Sequence, residues 1–543
     1  MNDGSASVTP PPVRPPDSLL WSVVGPALRV IARRRLGVLA QQHVAAAQEQ
    51  VLLRLVHKAQ NTRFGRDHDF ARIRSIADFQ RQVPLRRYDD FWREYWKPSF
   101  PRARDCTWPG LAPFYAMSSG TSTGLNKYIP TTHELIHTNA QMVRDVLAHH
   151  LANHPGTRVL RGKVFALGGT TELTREAPGV ESGDLSGIEL REIGWPMRRW
   201  FFPPVSMSAI ADYESKITTL AEASLQEDIR MILGPPNWLL VYFDRLLKLR
   251  PGVTRLVDIF PHLELIVHGG MAFGPYRQRF LRLIEGSHAE LREVYAASEG
   301  FFAVADRGNG EGLRLVVDSG IFYELVPVSE LGSRDPTRHW LGNAEPGVEY
   351  ALAICNPAGA WAYLIGDTVR LVEKDPARVL VTGRTSYVLT PFGEHVIHDQ
   401  LEDAIGRASR AARIEVAEYT VGPIFPAEGS PVGGHLLIVE SVGAAPSPEA
   451  LRTFGQVLDE RLVALNEDYA RRRANDLGML PPEIIGVPPG TFYEWLQREG
   501  RLGGQIKVPR VLNDRAILDR IESVAVDCGG VRVRLPARAQ AAE

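Results

Sequence analysis

The sequence predicts a mixed α/β (α+β) protein with a large N-terminal domain and a smaller C-terminal domain. Three strand-like runs, "KVFALGG", "LELIVHGG" and "LREVYAASEG", end in glycine, and helical stretches such as "NWLLVYFDRLLKLR" separate them. Strands that alternate with helices are typical of sheets flanked by helices, which bind ligands at the carboxyl ends of their strands. The length of 543 residues exceeds what one hydrophobic core usually serves, so we expect at least two domains.

The character of the sequence changes twice in its second half. Residues 313–384 are mostly strand-like, which predicts an antiparallel sheet or a barrel segment. A segment containing Gly and Pro near residues 383–393 is a candidate hinge, and strands and helices alternate after it. One helical face is formed by apolar residues three and four apart: Leu451, Phe454, Val457, Leu458, Leu462 and Leu465. We therefore expect a disordered tail (1–17), a large domain (18–394) and a small α+β domain (395–543).

Composition limits the class of protein. The net charge of −1 does not favour nucleic acid or an anionic membrane. Cys106, Cys355 and Cys528 fit neither a disulfide framework nor a CxxC metal site, which predicts a reducing, cytoplasmic environment. The apolar segment that follows the tail is too short for a bilayer and carries Arg29, and we expect Gly25 and Pro26 to break it. We therefore expect a helix packed on the main domain and no stable membrane anchor.

The segment "SSGTSTGLNK", residues 118–127, has three interpretations. A Walker phosphate loop requires GxxxxGK[ST], and the spacing to Lys127 does not fit. Residues 120–124 satisfy G-x-S-x-G, but Pro130 leaves little room for the helix that a nucleophile elbow needs. The third interpretation is a loop that wraps phosphates with backbone N–H groups, hydroxyls and the lysine charge. A plain surface linker is the structural alternative.

Four segments carry a resemblance to a known family: "SSGTSTGLNK", "VYAASEGFF", "YLIGDTVRL" and "GQIKVPRV". Together they resemble the auxin-responsive (Gretchen Hagen) acyl acid amido synthetases in their bacterial form, within the adenylate-forming superfamily, and the similarity extends over roughly residues 35–525. The resemblance implies a two-domain fold with a mobile C-terminal domain. It also implies ATP-dependent activation of a carboxylic acid as an acyl-AMP, followed by transfer to an amine, with an amino acid as the expected acceptor.

The resemblance also implies roles for individual residues. Lys127, Glu299 and Lys507 are the candidate catalytic residues, with Glu299 as the ligand of Mg²⁺, a cation that prefers oxygen. Lys507 is expected to swing in and favour adenylation. The remaining candidates are expected to bind ATP through its phosphates, ribose or adenine: Ser118, Ser119, Gly120, Thr121, Ser122, Gly124, Gly270, Tyr295, Ala296, Ser298, Asp367, Arg384 and His395.

The sequence departs from the family pattern after the hinge, where a lysine is common and this chain has His395. A neutral histidine would bind phosphate more weakly than a lysine. The residues leave open which acid and which amine are joined. They also leave two alternatives: a ligase that uses coenzyme A as the acceptor, and a non-catalytic relative that only binds nucleotide or acid.

Overall fold

The computed structural model describes residues 18–536 except 120–125, 196, 211–212, 271–272, 308–310, 332, 386–388, 390, 393, 395, 397, 426–431, 474–478, 500–507 and 513–514. The predicted tail, 1–17, therefore lies outside the described residues. The first part of the chain is helical: α1 (Ser18–Ala40), α2 (Val44–Ala59), α3 (Arg63–Asp67), α4 (Ile76–Gln82), α5 (Tyr88–Phe91) and α6 (Lys97–Ser99).

The N-terminal helix α1 is continuous, so the expected break at Gly25 and Pro26 is wrong. Pro26 is exposed, and the carbonyl that loses its helical partner there can be hydrated. The helix packs against the main domain, as expected: Arg35 Nε lies 2.7 Å from Asp145 Oδ1, and Arg35 Nη1 lies 2.6 Å from Asp318 Oδ2. No helix in the described parts of the chain combines the length and apolar character needed to cross a membrane.

The large domain continues with alternating strands and helices. Its strands are β1 (Phe114–Ser119), β2 (Asn126–Thr131), β3 (Lys163–Ala166), β4 (Thr174–Ala177), β5 (Val180–Gly183), β6 (Phe201–Phe202), β7 (Ile229–Gly234), β8 (Leu265–Gly269), β9 (Glu290–Ala297), β10 (Gly300–Val304), β11 (Leu313–Leu315), β12 (Phe322–Pro327), β13 (His339–Trp340), β14 (Glu349–Cys355), β15 (Tyr363–Lys374) and β16 (Ala377–Arg384). The helices among them are α7 (His133–Asn153), α8 (Leu185–Glu192), α9 (Val205–Ser208), α10 (Tyr213–Ser224), α11 (Pro236–Leu249) and α12 (Arg277–Leu283).

Twelve of these strands form one sheet in the order β13-β12-β14-β15-β16-β11-β10-β9-β8-β7-β3-β6. The strands from β9 to β6 are parallel, and those from β10 to β13 are antiparallel. The predicted antiparallel segment is thus continuous with the predicted α/β segment. A second sheet has the order β2-β1-β5-β4, in which β1 and β2 form an antiparallel hairpin.

The C-terminal part of the chain has a separate four-stranded sheet in the order β17-β18-β19-β20. The strands are β17 (Val416–Ile424), β18 (Gly434–Ser441), β19 (Glu483–Val487) and β20 (Val531–Arg534), and the helices are α13 (His398–Ala412), α14 (Pro448–Leu465), α15 (Glu467–Arg473), α16 (Thr491–Arg498) and α17 (Arg515–Asp527). Both faces of β18 are buried: Leu437 and Val439 belong to one apolar cluster, and Leu436 and Ile438 to another. The helix predicted from Glu449 onward is α14, which buries Leu451, Phe454, Leu458 and Leu462.

Candidate functional site

The described residues of the segment "SSGTSTGLNK" lie on the two strands of the β1–β2 hairpin. Ser118 pairs with Lys127, and Ser119 pairs with Asn126. Tyr88 of α5 fixes this hairpin, because its hydroxyl accepts a hydrogen bond from the Tyr128 backbone N–H at 2.9 Å. Lys127 Nζ lies 5.1 Å from the centroid of the Tyr88 ring, a cation–π arrangement. The residues predicted to wrap the phosphates, Gly120, Thr121, Ser122 and Gly124, lie outside the described residues.

Glu299 occupies the tight turn between β9 and β10, where Ala297 pairs with Gly300. Its carboxylate accepts a hydrogen bond from the Tyr363 hydroxyl, 3.1 Å from Oε1, and its backbone carbonyl accepts one from Asn356 Nδ2 at 2.7 Å. Glu299 is 9% exposed, so the turn is held in the interior rather than at the surface. Gly300, with φ of 150°, permits this geometry, since an added Cβ would lie 2.8 Å from Ile321.

Asp367 lies on β15, opposite Arg384 at the end of β16. Its Oδ2 accepts a hydrogen bond from the Tyr295 hydroxyl at 2.8 Å, and its Oδ1 lies 3.0 Å from Arg384 Nε. Tyr295 and Asp367 come from β9 and β15, which are separated by three strands in the sheet. The carboxylate is therefore positioned by two partners from different strands.

Two tyrosine–carboxylate pairs connect β9 and β15 in opposite directions, and we call them the crossed pairs. Tyr295 of β9 donates to Asp367 of β15, whereas Tyr363 of β15 donates to Glu299, which follows β9. Burial raises the pKa of each tyrosine well above its usual value. The hydroxyls therefore remain protonated and act as hydrogen-bond donors to both carboxylates.

The charged groups of this site influence one another's ionisation. Burial and the nearby Asp367 raise the pKa of Glu299, and Lys127 and Arg384 counteract this. Burial lowers the pKa of Lys127, which Glu299 raises and Arg384 lowers further. Two carboxylates and two cations are thus within electrostatic reach, and perturbed groups gathered in this way are typical of functional sites.

Four other predicted site residues lie on or just after β8 and β9. Tyr295 is buried and packs edge-on against Phe302, with 4.9 Å between the ring centroids, so its hydroxyl rather than its ring face is directed to the site. Ala296 is half-buried, Ser298 is buried in the turn beside Glu299, and Gly270 is exposed just after β8, which pairs with β9. His395 and Lys507 lie outside the described residues.

Sequence reasoning missed Tyr363, Asn356 and Tyr88. Tyr363 could have been found, because it is the first residue of the segment "YLIGDTVRL" that also contains Asp367. Asn356 and Tyr88 carry no such signal, since their contacts depend on how distant segments pack. His268 of the "HGG" segment is buried against Phe273, 3.7 Å between ring centroids, and burial lowers its pKa to about 3.

The fold is that of the adenylate-forming enzymes. A solved structure of the GH3.15 acyl acid amido synthetase superposes with a TM-score of 0.74 at 17% identity, covering 90% of this chain and 95% of that one. A 2-hydroxyisobutyryl-CoA ligase in complex with 2-HIB-AMP superposes with a TM-score of 0.55 at 14% identity, covering 88% and 91%.

The chain belongs to the GH3 family. The family's N-terminal, central and C-terminal domains match residues 38–232, 314–383 and 399–516, respectively. The indole-3-acetic acid-amido synthetase GH3.8 of Oryza sativa subsp. indica is 29% identical over 292 residues, which are 50% of this chain and 47% of that protein. The jasmonoyl–L-amino acid synthetase GH3.5 of Oryza sativa subsp. japonica is 24% identical over 477 residues, which are 73% and 80%. With GH3.8, the chain spans about half the length of the relative it matches.

Proposed function

We propose that the protein is an AMP-forming ligase that joins a small carboxylic acid to an amine, an amino acid in particular. A carboxylate oxygen of the acid attacks the α-phosphorus of ATP, and pyrophosphate leaves. The amine then attacks the acyl carbon of the resulting acyl-adenylate, forms an amide bond and loses a proton, and AMP leaves. The observation that carries this proposal is the grouping of Glu299, Asp367, Lys127 and Arg384 around the crossed pairs.

The residues present fit a nucleotide with a divalent cation. Glu299 Oε1 is bonded to Tyr363, while no hydrogen bond from the described residues reaches Oε2, which leaves that oxygen for Mg²⁺. One protein carboxylate suffices when phosphates supply other ligands, and the cation would neutralise charge on the phosphates. Among the described residues, each oxygen of the Asp367 carboxylate has one contact, with Tyr295 or with Arg384, and a second lone pair can accept from a ribose hydroxyl.

We assign the binding and orientation of ATP to the following residues of the chain. Ser118, Ser119 and the adjoining Gly120, Thr121, Ser122 and Gly124 are assigned to the phosphates, together with Lys127. Ala296, Ser298 and Gly270 are assigned to the wall next to adenine, and Tyr295 to holding Asp367. Arg384 is assigned to the ribose.

The small domain is assigned a mobile role. Lys507, from the segment "GQIKVPRV", is assigned to neutralising charge on the attacking carboxylate and the leaving phosphate, as preorganised cations do. His395 is assigned to the phosphates in place of the family lysine. Domain boundaries at residues 17 and 394 and a cytoplasmic location complete the proposal; the three cysteines are free thiols, in keeping with a reducing compartment.

The test is acid-dependent pyrophosphate release across a library of aromatic and aliphatic acids, followed by product mass with amino acids or coenzyme A. Amide formation is expected, with loss of at least about 100-fold in rate for Glu299→Gln, which keeps the acceptor for Tyr363 but removes the charge. Glu311→Gln, at an exposed loop residue, is the matched control. Pyrophosphate release that no acid stimulates would refute the proposal.

Coenzyme A is the second candidate acceptor. The fold shared with the 2-hydroxyisobutyryl-CoA ligase favours testing it directly. If a thioester forms in preference to every amide, the acceptor in the second step is a thiol rather than an amine, and the adenylation step is unchanged. Nucleotide binding without any product would instead indicate a non-catalytic relative.

A further inference from the structure

Two histidines and a glutamate meet outside the proposed nucleotide site. His150 lies in the last turn of α7, His154 is the residue that caps the helix, with its backbone N–H donating to the His150 carbonyl at 2.9 Å, and Glu290 is the first residue of β9. His150 Nδ1 is 2.9 Å and His154 Nε2 is 3.1 Å from the same oxygen, Glu290 Oε2. The three ligand-type atoms lie within 4.8 Å of one another. The two imidazole rings lie side by side at the end of the helix, with 4.8 Å between their centroids.

The hydrogen bonds around His150 determine which nitrogen carries its proton. The Thr157 hydroxyl donates to Glu264 Oε2, because a carboxylate can only accept. Thr157 Oγ1 must therefore accept from His150 Nε2, 3.1 Å away. In neutral His150 the proton is thus on Nε2, and the Nδ1 lone pair is directed at a carboxylate oxygen only 2.9 Å away. Two lone pairs at this distance require a cation between or beside them, either a second proton or a metal ion.

The same hydrogen bonds hold the side chains in place, as neighbouring groups hold the ligands of protein metal sites. The second nitrogen of a ligating histidine is usually bonded to a neighbouring group that fixes the ring, and Thr157 does this for His150, whose side chain is 2% exposed. Glu290 is fixed in a similar way, since its Oε1 accepts from Arg292 Nη2 at 2.7 Å. Only Oε2 of Glu290 then faces the two histidines, as a single oxygen ligand.

We propose that His150, His154 and Glu290 bind one divalent transition-metal ion of the zinc class. Two imidazole nitrogens with one carboxylate oxygen are a known ligand set for zinc, and a water completes four-coordination. Metal–ligand bonds of about 2.0–2.1 Å place tetrahedral ligands about 3.3 Å apart. The two nitrogen–oxygen distances of 2.9 and 3.1 Å are near this value. The wider separations, up to 4.8 Å, close by rotation of His154, whose side chain is 45% exposed.

A metal here would cross-link two elements that lead to the nucleotide site. At the other end of β9 are Tyr295 and Glu299, and α7 contacts the next strand through Asn139, whose Oδ1 accepts from the Phe301 backbone N–H at 3.0 Å. The metal would therefore have a structural role, fixing α7 against β9. This proposal does not depend on the proposed ligase activity.

The test is Zn²⁺ binding by the full chain after removal of metals with a chelator, measured by calorimetry and elemental analysis. We expect one Zn²⁺ per chain, a rise in the thermal midpoint, and a Co²⁺ absorption spectrum of tetrahedral nitrogen–oxygen ligation. His154→Ala changes a half-exposed side chain, so it should fold normally and bind Zn²⁺ about tenfold or more weakly. Glu290→Gln should weaken binding in the same way.

His262→Ala is the matched control, because exposed His262 also contacts a carboxylate, with Nδ1 3.1 Å from Asp228 Oδ1, but is not in the three-residue group. This variant should retain full binding. Equal affinity of the wild type and His154→Ala would overturn the proposal, as would failure of the wild type to bind Zn²⁺ or Co²⁺. Either result would mean that a proton, rather than a metal ion, holds the three residues together.

Discussion

Replacing Glu189 by glutamine should stabilise the protein at alkaline pH. Glu189 lies on α8, and its Oε1 accepts a hydrogen bond from Asn139 Nδ2 at 2.8 Å. Burial raises its pKa from 4.5 to about 7, and the Asn139 hydrogen bond only partly offsets this. The substitution Glu189→Gln keeps a carbonyl oxygen as the acceptor for Asn139 and removes the charge that burial disfavours.

The magnitude follows from the difference between the folded and unfolded pKa values. The folded pKa is the higher one, so the side chain contributes stability below about pH 4.5 that is lost as the pH rises through 7. One pKa unit corresponds to about 1.4 kcal/mol, which sets an upper figure of about 3 kcal/mol at pH 8. Because the side chain is only half-buried, water reduces this, and we expect a gain of about 1–3 kcal/mol for Glu189→Gln.

The assay is urea unfolding of the wild type and Glu189→Gln across pH 4.5–8. The free-energy difference between them should be largest at pH 8 and mostly absent at pH 4.5. Glu222→Gln, at an exposed position on α10, is the control and should show no such trend. A difference that is independent of pH, or a variant less stable than the wild type at pH 8, would refute the reasoning.

Three further outcomes are expected. Asp367→Ala should raise the KM for ATP by about tenfold or more, since a charged hydrogen-bond acceptor is lost, and an unchanged KM in steady-state assays would place the ribose elsewhere. Lys507→Ala should slow adenylation far more than it weakens ATP binding, measured by pyrophosphate exchange and calorimetry; equal losses would make the lysine a nucleotide anchor. Asp459→Ala leaves Arg473, 1% exposed, without the carboxylate 2.8 Å away, and should destabilise the C-terminal part by about 3–5 kcal/mol in chemical unfolding. A loss below about 1 kcal/mol would mean that water reaches Arg473.

The order of elements was largely predictable from the sequence, because it depends on local periodicity. The strands β3, β8 and β9 and the helices α11 and α14 all overlap the predicted segments, and each begins within two residues of its predicted start. Pro26 shows the limit of such rules, since a proline is tolerated in an exposed helix whose carbonyls can be hydrated. The pairing order of the twelve strands was not predictable, because it depends on contacts between distant parts of the chain.

The candidate site was predictable only as a set of residue types. "YAASE" and "IGD" pointed to Glu299 and Asp367, but the partners that hold these carboxylates come from elsewhere in the chain. Tyr363 is 64 residues from Glu299, and Tyr295 is 72 residues from Asp367. The grouping of His150 with Glu290 is similarly remote, 140 residues apart. Sequence periodicity carries no information about such pairs.

The crossed pairs also have a consequence for ligand selection. Because each carboxylate is hydrogen-bonded to a tyrosine on the strand of the other carboxylate, the sheet sets the separation between Glu299 and Asp367 before any ligand binds. Under the proposed assignment, that separation sets the distance between the cation and the ribose of one bound nucleotide. Tyr363 and Tyr295 would then influence which nucleotide fits without touching it, since loss of either hydroxyl would release the carboxylate that it holds.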